Sequence, residues 1–446
     1  MRESPMRIAI ILQMVIAFEG AAIAKTLPSG ACERIKSACE DAGFTRGGGK
    51  GHRLQADCVA PILRGTSQPG RPGEPAVPPI EPQVAQECRL RNPNFGQDAA
   101  PEAAAVAPRT GVAAPHGISA VNAVDAQRVG KLFETSDPKL DVYDNPNTSG
   151  VSFRTSWADV EPEEGKFDFA KLDAVFERAE KGHKWVALVL IPGFGTPAWA
   201  LKGVQSGTFA IEYGPGNGSS LPLPAPWDQT YLSRWFTFLK AIGNRYGGKS
   251  SFRKIAAAGP TSVSAEMSLP DAEADMSQWK ELGYTTQKYI DAWKQTFAAY
   301  SATFPHQCFS LALHAALPIP DKKQRTYGRD QVVALGLQYP GQFALQADGL
   351  NSKSTDGKYG YRTVREHNGQ VATGFMMSAS ATRKSGRMGV EGDPVESLRL
   401  SIATGLVPND HGQVIDYIEL YEPDVVNPAL QPLLHDTQQK LSKDPQ

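Results

Sequence analysis

The stretch that decides the fold is Val151-Ser152-Phe153-Arg154-Thr155-Ser156, which Trp157 follows directly. Its β-branched, aromatic and small residues have the composition of a strand. After a loop over residues 158–168 comes Phe169–Lys181, where apolar residues recur at three- and four-residue steps, as on an amphipathic helix. A strand, a loop and a helix in this order predict one β/α unit.

The same alternation of apolar runs with amphipathic stretches continues over residues 117–440. Eight such units close a barrel, so the sequence predicts an α/β fold, a (β/α)8 TIM barrel. Further helices are clearest at Tyr231–Tyr246 and Thr286–Thr303. The predicted strands lie near Gly117–Ala123, Val151–Ser156, Trp185–Ile191, Lys254–Gly259, Cys308–His314, Gln342–Ala347, Val371–Met377 and Val414–Tyr421.

The length and the charge of the chain limit what the protein can do. A barrel of roughly 250 residues or more with a small appendage accounts for the 446 residues. With 46 Lys and Arg against 47 Asp and Glu, the net charge is -1, so no global field attracts nucleic acid. We therefore expect no nucleic-acid partner, and the sequence does not give the oligomeric state.

The N-terminus has the pattern of a secretory signal peptide over residues 1–24. Arg2 and Arg7 precede the apolar run Ile8–Phe18, and Ala22-Ile23-Ala24 is a small-x-small cleavage site. The run is shorter than the about 20 residues that a transmembrane helix needs. We expect an exported chain, periplasmic or extracellular, without a transmembrane segment in its mature form.

A small cysteine module is expected over residues 25–97, followed by an Ala/Pro-rich linker over residues 98–116. Export implies an oxidising compartment, so two disulfides are predicted among Cys32, Cys39, Cys58 and Cys88, with three pairings open. Cys32 and Cys39 lie on one face of a predicted helix and should each reach another segment. Zinc is the competing interpretation, but the cysteines lack a C-x2-C pair and a nearby histidine ligand pattern.

The residues from Ala31 to Phe44, with Asp57–Ile62 and Asn92–Gly96, resemble a small module of uncharacterised exported proteobacterial proteins. This resemblance implies a compartment and no activity. Cys308 lies far downstream in a predicted buried strand, where we expect a free, packed thiol.

The predicted strand ends carry an unusual number of polar and aromatic residues. Active sites of such barrels form where strands end and loops begin. Carboxylates, amides and aromatic rings together suit sugars, because rings stack on pyranose C–H faces while polar groups bind hydroxyls. The candidate carbohydrate-binding residues are Arg154, Trp157, Trp199, His314, Gln346, Asp348, Asn351 and Tyr417.

Trp157, Glu161-Pro162, Gly165, Phe167–Phe169 and Thr196–Trp199 together resemble the second and third β/α units of clan A glycoside hydrolases, particularly the β-galactosidase-like members. The resemblance implies that Glu161 shapes its loop. It also implies an acid/base glutamate after the fourth strand, where this chain has Glu266. The family's preceding Asn is replaced here by Ala265, which removes an amide that normally holds the sugar 2-hydroxyl.

The resemblance further implies a nucleophile on the seventh strand, but Ala372–Ala379 contains no carboxylate. Alternation along the eighth strand points Glu419 into the barrel, so Glu419 is the predicted second catalytic residue. Its alternative role is a structural partner of Arg154. Asp348 and Glu422 are weaker candidates for this catalytic role. Asp348 lies in a turn, where Asp often serves only to form the turn, and Glu422 is expected to be a loop residue. Because the eighth strand lies across the barrel from the fourth, a wide carboxyl gap and inversion are favoured.

The predicted function is therefore hydrolysis of O-glycosidic bonds in an oligo- or polysaccharide. A barrel that binds carbohydrate without catalysis is the alternative, favoured by the missing seventh-strand carboxylate, and an envelope scaffold acting through the cysteine module is a third possibility. No nucleotide, dinucleotide or zinc-protease motif occurs, so no cofactor and no metal are expected.

Overall fold

The computed structural model describes residues 30–45, 52–64, 75–91, 112–122, 141–211, 217–357 and 360–442. The chain divides into two compact units, Met1–Glu102 and Ala103–Gln446. The predicted signal peptide lies outside the described residues, as does most of the predicted linker. The predicted limits of the cysteine module and of the barrel stay predictions.

The first unit is helical and is linked by two disulfides. Cys32 is bonded to Cys88, and Cys39 to Cys58. The prediction of two disulfides is confirmed, and so is the expectation that Cys32 and Cys39 reach other segments. Cys308 is free and buried, as predicted. The helices of this unit are Ala31–Asp41, the π-helical Leu54–Val59, Ala60–Arg64 and Pro82–Arg91.

The disulfides should carry much of the stability of this unit, because its buried apolar cluster is small. The Cys39–Cys58 bond closes a loop with a sequence separation of 19, which corresponds to about 3 kcal/mol of loop-closure entropy. We expect the double variant Cys39→Ser/Cys58→Ser to exchange the amide hydrogens of Ala31–Asp41 about 10²-fold faster, as measured by hydrogen-exchange mass spectrometry. Cys308→Ser is the control and should leave this exchange unchanged; equal exchange in the double variant would contradict the prediction.

The second unit is a closed barrel of eight parallel strands, which confirms the predicted TIM barrel. The first strand pairs with the eighth, with Ser119 opposite Glu419, and this pairing closes the sheet. In chain order the barrel strands are Gly117–Asn122, Gly150–Ser156, Trp185–Ile191, Phe252–Ala256, Cys308–Ala312, Phe343–Leu350, Ala372–Met377 and Tyr417–Tyr421.

Amphipathic helices cover the barrel. The helix Gln229–Tyr246 begins at Asp228, whose side chain accepts the backbone N–H of Tyr231 at 2.9 Å, and it buries aromatic residues at three- and four-residue steps. The α-helices of this unit are Trp157–Val160, Ala170–Lys181, Gln229–Tyr246, Glu273–Glu281, Thr286–Thr303, Lys323–Gly336, Tyr361–Glu366, Ala381–Met388, Pro394–Gly405, Glu422–Val425 and Gln431–Leu441. Within the described ranges, no helix is long and apolar enough to span a bilayer.

Two features of the barrel differ from the sequence prediction. An antiparallel hairpin, Ser206–Ala210 with Ser220–Pro224, follows the third strand and was not predicted. Its second strand is short and contains two prolines, a weak signal for a strand. The fourth strand ends at Ala256 instead of Gly259, because the chain then leaves the sheet.

Candidate active site

Glu266 occupies a strand position although it lies ten residues beyond the end of the fourth strand. Ala256 is in register with Ser310 of the fifth strand, and Glu266 is in register with Ala312. Two residues on the fifth strand thus correspond to ten on the fourth, so eight residues, 258–265, are inserted into the ladder. We call residues 258–265 the excursion. Glu266 takes the place that residue 258 would have in a regular strand.

This register also determines the direction of the Glu266 side chain. Side chains alternate along a strand, so a residue in position 258 points to the same side as Lys254. Lys254 points into the barrel, where its Nζ contacts Glu419. Glu266 therefore points inward at the carboxyl end of the fourth strand, half-buried, while the backbone N–H of Met267 donates to the carbonyl oxygen of Ala312 at 2.9 Å.

Aromatic side chains hold the start of the excursion in place. Trp235 Nε1 donates to the carbonyl oxygen of Ala258 at 2.6 Å, and the Tyr231 hydroxyl donates to that of Gly259 at 2.8 Å. Gly193 allows a close approach from the third strand, since its φ is 62° and an added Cβ would lie 2.3 Å from the carbonyl oxygen of Ser262. The excursion is therefore a fixed part of the mouth of the barrel.

The guanidinium of Arg154 interacts electrostatically with Asp348 and Glu266 at the mouth of the barrel. Burial alone would lower the pKa of Arg154, but the negative charges of Glu419 and Asp348, with a smaller effect from Glu266, raise it. Arg154 Nη2 also contacts the sulfur of Met376 at 2.8 Å, on the strand where the family carries its nucleophile. A guanidinium thus lies among three carboxylates.

Asp348 has the environment of a group that exchanges a proton near neutral pH. Burial and the nearby charge of Glu266 raise its pKa to about 7, against the opposing effect of Arg154. Gln346 Nε2 donates to Asp348 Oδ1 at 2.7 Å. Asp348 therefore keeps its proton up to about pH 7.

Beneath this mouth lies a buried polar network around Lys254. The Lys254 ammonium donates to Glu419 Oε1 at 2.6 Å and to Gln346 Oε1 at 2.5 Å. The Tyr417 hydroxyl donates to the same Gln346 oxygen at 2.9 Å, and the Lys254 ammonium lies 4.4 Å from the centre of the Tyr417 ring. The side chains of Lys254 and Glu419 are 1% and 0% exposed. This network connects the fourth, sixth and eighth strands below the site.

Glu419 is held in its ionised form by its neighbours. Burial would raise its pKa, but the positive charges of Lys254 and Arg154 and the hydrogen bond from Lys254 outweigh burial and lower it. Its second oxygen lies 3.7 Å from Arg154 Nη2. The inward direction predicted for Glu419 and Tyr417 is therefore seen, but Glu419 lies under the mouth and is engaged by two cations.

The two tryptophans that were predicted to bind carbohydrate differ in their burial. Trp157 is fully buried and packs against Trp199 and Trp235, and its Nε1 donates to Glu161 Oε2 at 2.9 Å. Trp199 is half-buried, and its Nε1 donates to the carbonyl oxygen of Glu161 at 3.1 Å. Glu161 also accepts the backbone N–H of Gly165 at 2.9 Å, which fits its expected role in shaping the loop.

The remaining predicted residues lie on the loops after the fifth and sixth strands. His314 follows the fifth strand, and burial lowers its pKa, so the imidazole is neutral at pH 7. Asn351 follows the sixth strand, where its Oδ1 accepts the backbone N–H of Lys353 at 2.9 Å. This bond is that of a turn, and it leaves Asn351 a mainly local role.

Two features of the site were missed from the sequence. Lys254 belonged to a predicted strand, and a lysine at an inward position between apolar neighbours was the available signal. The excursion was not predicted, because sequence alone does not reveal that the ladder resumes at Glu266. Among the described residues, no group of three or more His, Cys, Asp or Glu could hold a metal ion.

Residues 139–209 match the model of a β-galactosidase family of glycoside hydrolases. The match covers the second and third strands and the Trp157 to Trp199 region, and it ends before Glu266. It confirms the resemblance to β-galactosidase-like members that the motifs predicted. No curated protein matches the chain in sequence.

Several solved structures of sugar-cleaving enzymes are similar to the chain. The catalytic domain of β-amylase from Paenibacillus polymyxa has a TM-score of 0.47 and 11% identity, covering 75% of this chain and 100% of that one. Endo-glycoceramidase II from Rhodococcus sp. has a TM-score of 0.42 and 14% identity, covering 72% and 78%. A GH10 protein from Paenibacillus barcinonensis has a TM-score of 0.40 and 14% identity, covering 69% and 84%.

Proposed function

We propose that this chain, a glycosidase by its barrel and its family segment, is an exported enzyme that hydrolyses O-glycosidic bonds of an oligo- or polysaccharide, with Glu266 as general acid/base. One observation carries the proposal: the ladder resumes at Glu266, at the carboxyl end of the fourth strand, on the inward side of the barrel and within electrostatic reach of Asp348. Such a pair of carboxyl groups is what glycoside hydrolysis requires.

The second catalytic carboxylate was predicted to be Glu419, and that assignment stays a prediction. Its surroundings favour another role, because a fully buried carboxylate bonded to Lys254 is not available to a sugar or a water molecule. Asp348 is half-buried at the mouth, and the charge of Glu266 acts on it electrostatically. We therefore assign the second catalytic role to Asp348 and a positioning role to Glu419.

The chemistry follows from the pair of carboxyl groups that Glu266 and Asp348 supply. The protonated carboxyl donates its proton to the glycosidic oxygen as the bond to the anomeric carbon breaks, and the leaving group departs as an alcohol. The ionised carboxylate either takes a proton from the attacking water or attacks the anomeric carbon itself. The separation of the two groups decides between inversion and retention, and early product anomers observed by NMR distinguish the two.

The dependence of the activity on pH should show the proton of Asp348. With the pKa of Asp348 raised to about 7, Asp348 loses its proton above that pH, so kcat/KM should fall about tenfold per pH unit there. Asp348→Asn should lower kcat by at least ~10²-fold. Glu419→Gln, the matched change on the eighth strand, should keep the alkaline limb of the profile, because the pair is still present. A profile flat from pH 6 to 9, or full activity in Asp348→Asn, would contradict the assignment.

Export is part of the proposal and rests on the first unit. Two disulfides in a short helical unit are typical of proteins that mature in an oxidising compartment. The predicted signal peptide, residues 1–24, precedes the predicted cysteine module in the sequence. Fractionation of cells that express the full chain, with detection in periplasm and medium, tests this part separately.

The alternative is a barrel that binds carbohydrate without cleaving it. It is favoured by the seventh strand, where Met376 stands opposite Glu419 and no carboxylate is present. A screen of the parent chain and Glu266→Gln against aryl glycosides and polysaccharides decides between the two. Hydrolysis by the parent that Glu266→Gln abolishes supports the enzyme, and binding of polysaccharide without hydrolysis supports the alternative.

A further inference from the structure

Gln346 is buried on the sixth strand, and both ends of its side-chain amide are bonded to protein groups. Its Oε1 accepts from the Lys254 ammonium at 2.5 Å and from the Tyr417 hydroxyl at 2.9 Å. Its Nε2 donates to Asp348 Oδ1 at 2.7 Å and, more weakly, to Glu419 Oε2 at 3.5 Å. A side-chain amide has two N–H donors and two acceptor lone pairs, so all four are used. These contacts favour a role for Gln346 other than the carbohydrate binding predicted from the sequence.

The Lys254 ammonium fixes the direction in which this amide faces. An ammonium donates hydrogen bonds and accepts none, so the atom of Gln346 that it contacts must be the oxygen. The amide nitrogen then faces Asp348. Lys254 is itself bonded to Glu419 at 2.6 Å and is 1% exposed, so the ammonium is held in a buried position.

The direction of the amide decides which oxygen of Asp348 carries a proton. An amide nitrogen does not accept hydrogen bonds, so a proton on Oδ1 would meet the N–H of Gln346 without an acceptor. In the protonated carboxyl, the proton therefore lies on Oδ2, and Oδ1 is the carbonyl oxygen. Burial raises the pKa of Asp348 to about 7, while the hydrogen bond from Gln346 acts in the opposite direction, because it stabilises the ionised form.

We propose that Gln346 is a positioning residue: bonded to Lys254 and Tyr417, it places the proton of Asp348 on Oδ2 and sets the pH at which that proton leaves. This inference rests on the proposed function, because the proton takes part in a reaction only if Asp348 is catalytic. It extends the site downward from the mouth into the buried polar network.

Titration of Asp348 by NMR tests this without a substrate. The full chain is labelled with carbon-13 at aspartate Cγ, and the signal of Asp348 is identified by its loss in Asp348→Asn. Gln346→Met keeps the length of the side chain but cannot donate, so the titration midpoint should rise by about one pH unit. Gln346→Glu keeps an acceptor for Lys254 and Tyr417, which preserves the network, and its negative charge should also raise the midpoint.

Gln342→Met is the matched control. Gln342 is buried directly before the sixth strand, where it accepts from the Ser301 hydroxyl at 2.8 Å and donates to the carbonyl oxygen of Phe304 at 2.7 Å. This variant should leave the midpoint of Asp348 unchanged, and an equal rise would overturn the proposal. All three variants retain the titratable groups that face Asp348, namely Glu266, Arg154, His314, Glu419, Tyr417 and Tyr421.

Infrared difference spectra of the same labelled chains, taken below and above the midpoint, report on the location of the proton. If Oδ1 is the carbonyl oxygen, the hydrogen bond from Gln346 lowers the C=O stretching frequency of the protonated carboxyl. Gln346→Met should therefore move this band to higher frequency. A band that stays in place in Gln346→Met, or a midpoint that moves in neither Gln346 variant, overturns the proposal.

The pH profile of kcat/KM separates this inference from the proposed function. On a confirmed substrate, the alkaline limb should move upward with the NMR midpoint in both Gln346 variants. An active parent whose alkaline limb stays in place in both variants overturns the positioning role and leaves the glycosidase function standing. If the parent hydrolyses no glycoside but Gln346→Met shifts both the midpoint and the infrared band, the activity is wrong and the placement of the proton is supported.

Discussion

Glu266→Gln is expected to lower kcat on an alkyl glycoside or disaccharide by at least ~10²-fold, or about 2.7 kcal/mol of barrier, because the amide cannot donate the proton that the leaving group needs. The fold should remain intact, since the ladder contact at this position is made by the backbone of Met267 and Ala312. Steady-state kinetics on a confirmed substrate provide the measurement, with circular dichroism as the check of folding.

Two comparisons make this experiment specific for an acid. Glu273→Gln changes an exposed glutamate at the start of the helix Glu273–Glu281 and should leave kcat within about twofold. A dinitrophenyl glycoside has a leaving group that departs without protonation. Glu266→Gln should therefore lower the rate of bond cleavage much less for this substrate than for a methyl glycoside. Equal losses on both substrates would show that Glu266 positions the sugar instead of donating a proton.

Lys254→Met is expected to destabilise the barrel by about 3–5 kcal/mol, because it leaves the buried carboxylate of Glu419 without its main partner. The methionine fills similar volume, so the loss reports on charge more than on packing. All seven tryptophans lie beyond residue 150, in the second unit, so tryptophan fluorescence during urea unfolding follows the barrel alone.

A second-site change and a surface control test the reason for this loss. Glu419→Gln added to Lys254→Met removes the unpaired charge, so the double variant should be more stable than Lys254→Met alone. Lys249→Met breaks an ion pair with Glu180 whose side chains are 35% and 41% exposed, and should cost at most about 1 kcal/mol. Equal losses at Lys249 and Lys254 would contradict the role given to the buried network.

The barrel was predictable from sequence because its signals are local and repeated. Strand runs such as Trp185–Ile191 are wholly apolar, and helices such as Thr286–Thr303 have an amphipathic period. Each β/α unit can therefore be recognised from its own residues. The eighth-strand alternation gave the inward direction of Glu419 and Tyr417, since it depends only on the strand period.

The environment of each side chain was not predictable in the same way. Glu419 is fully buried and Asp348 is half-buried because they lie at different depths along the barrel axis. This depth depends on the register between distant strands. Trp157 shows the same limit: its position after a strand suggested the mouth, but the large aromatic side chains of the neighbouring helix surround it. The pairing of the cysteines likewise needed the three-dimensional arrangement of the three helical segments that carry them.

The excursion in the fourth strand bears on how such a protein can change during evolution. The sheet is intact on both sides of residues 258–265, so the position of Glu266 is set by the ladder and not by the length of chain that precedes it. Doubling the length of a flexible loop costs only about 0.6 kcal/mol in closure entropy. Insertions and deletions at this point can therefore remodel substrate preference between related lineages while the chemical step is inherited unaltered.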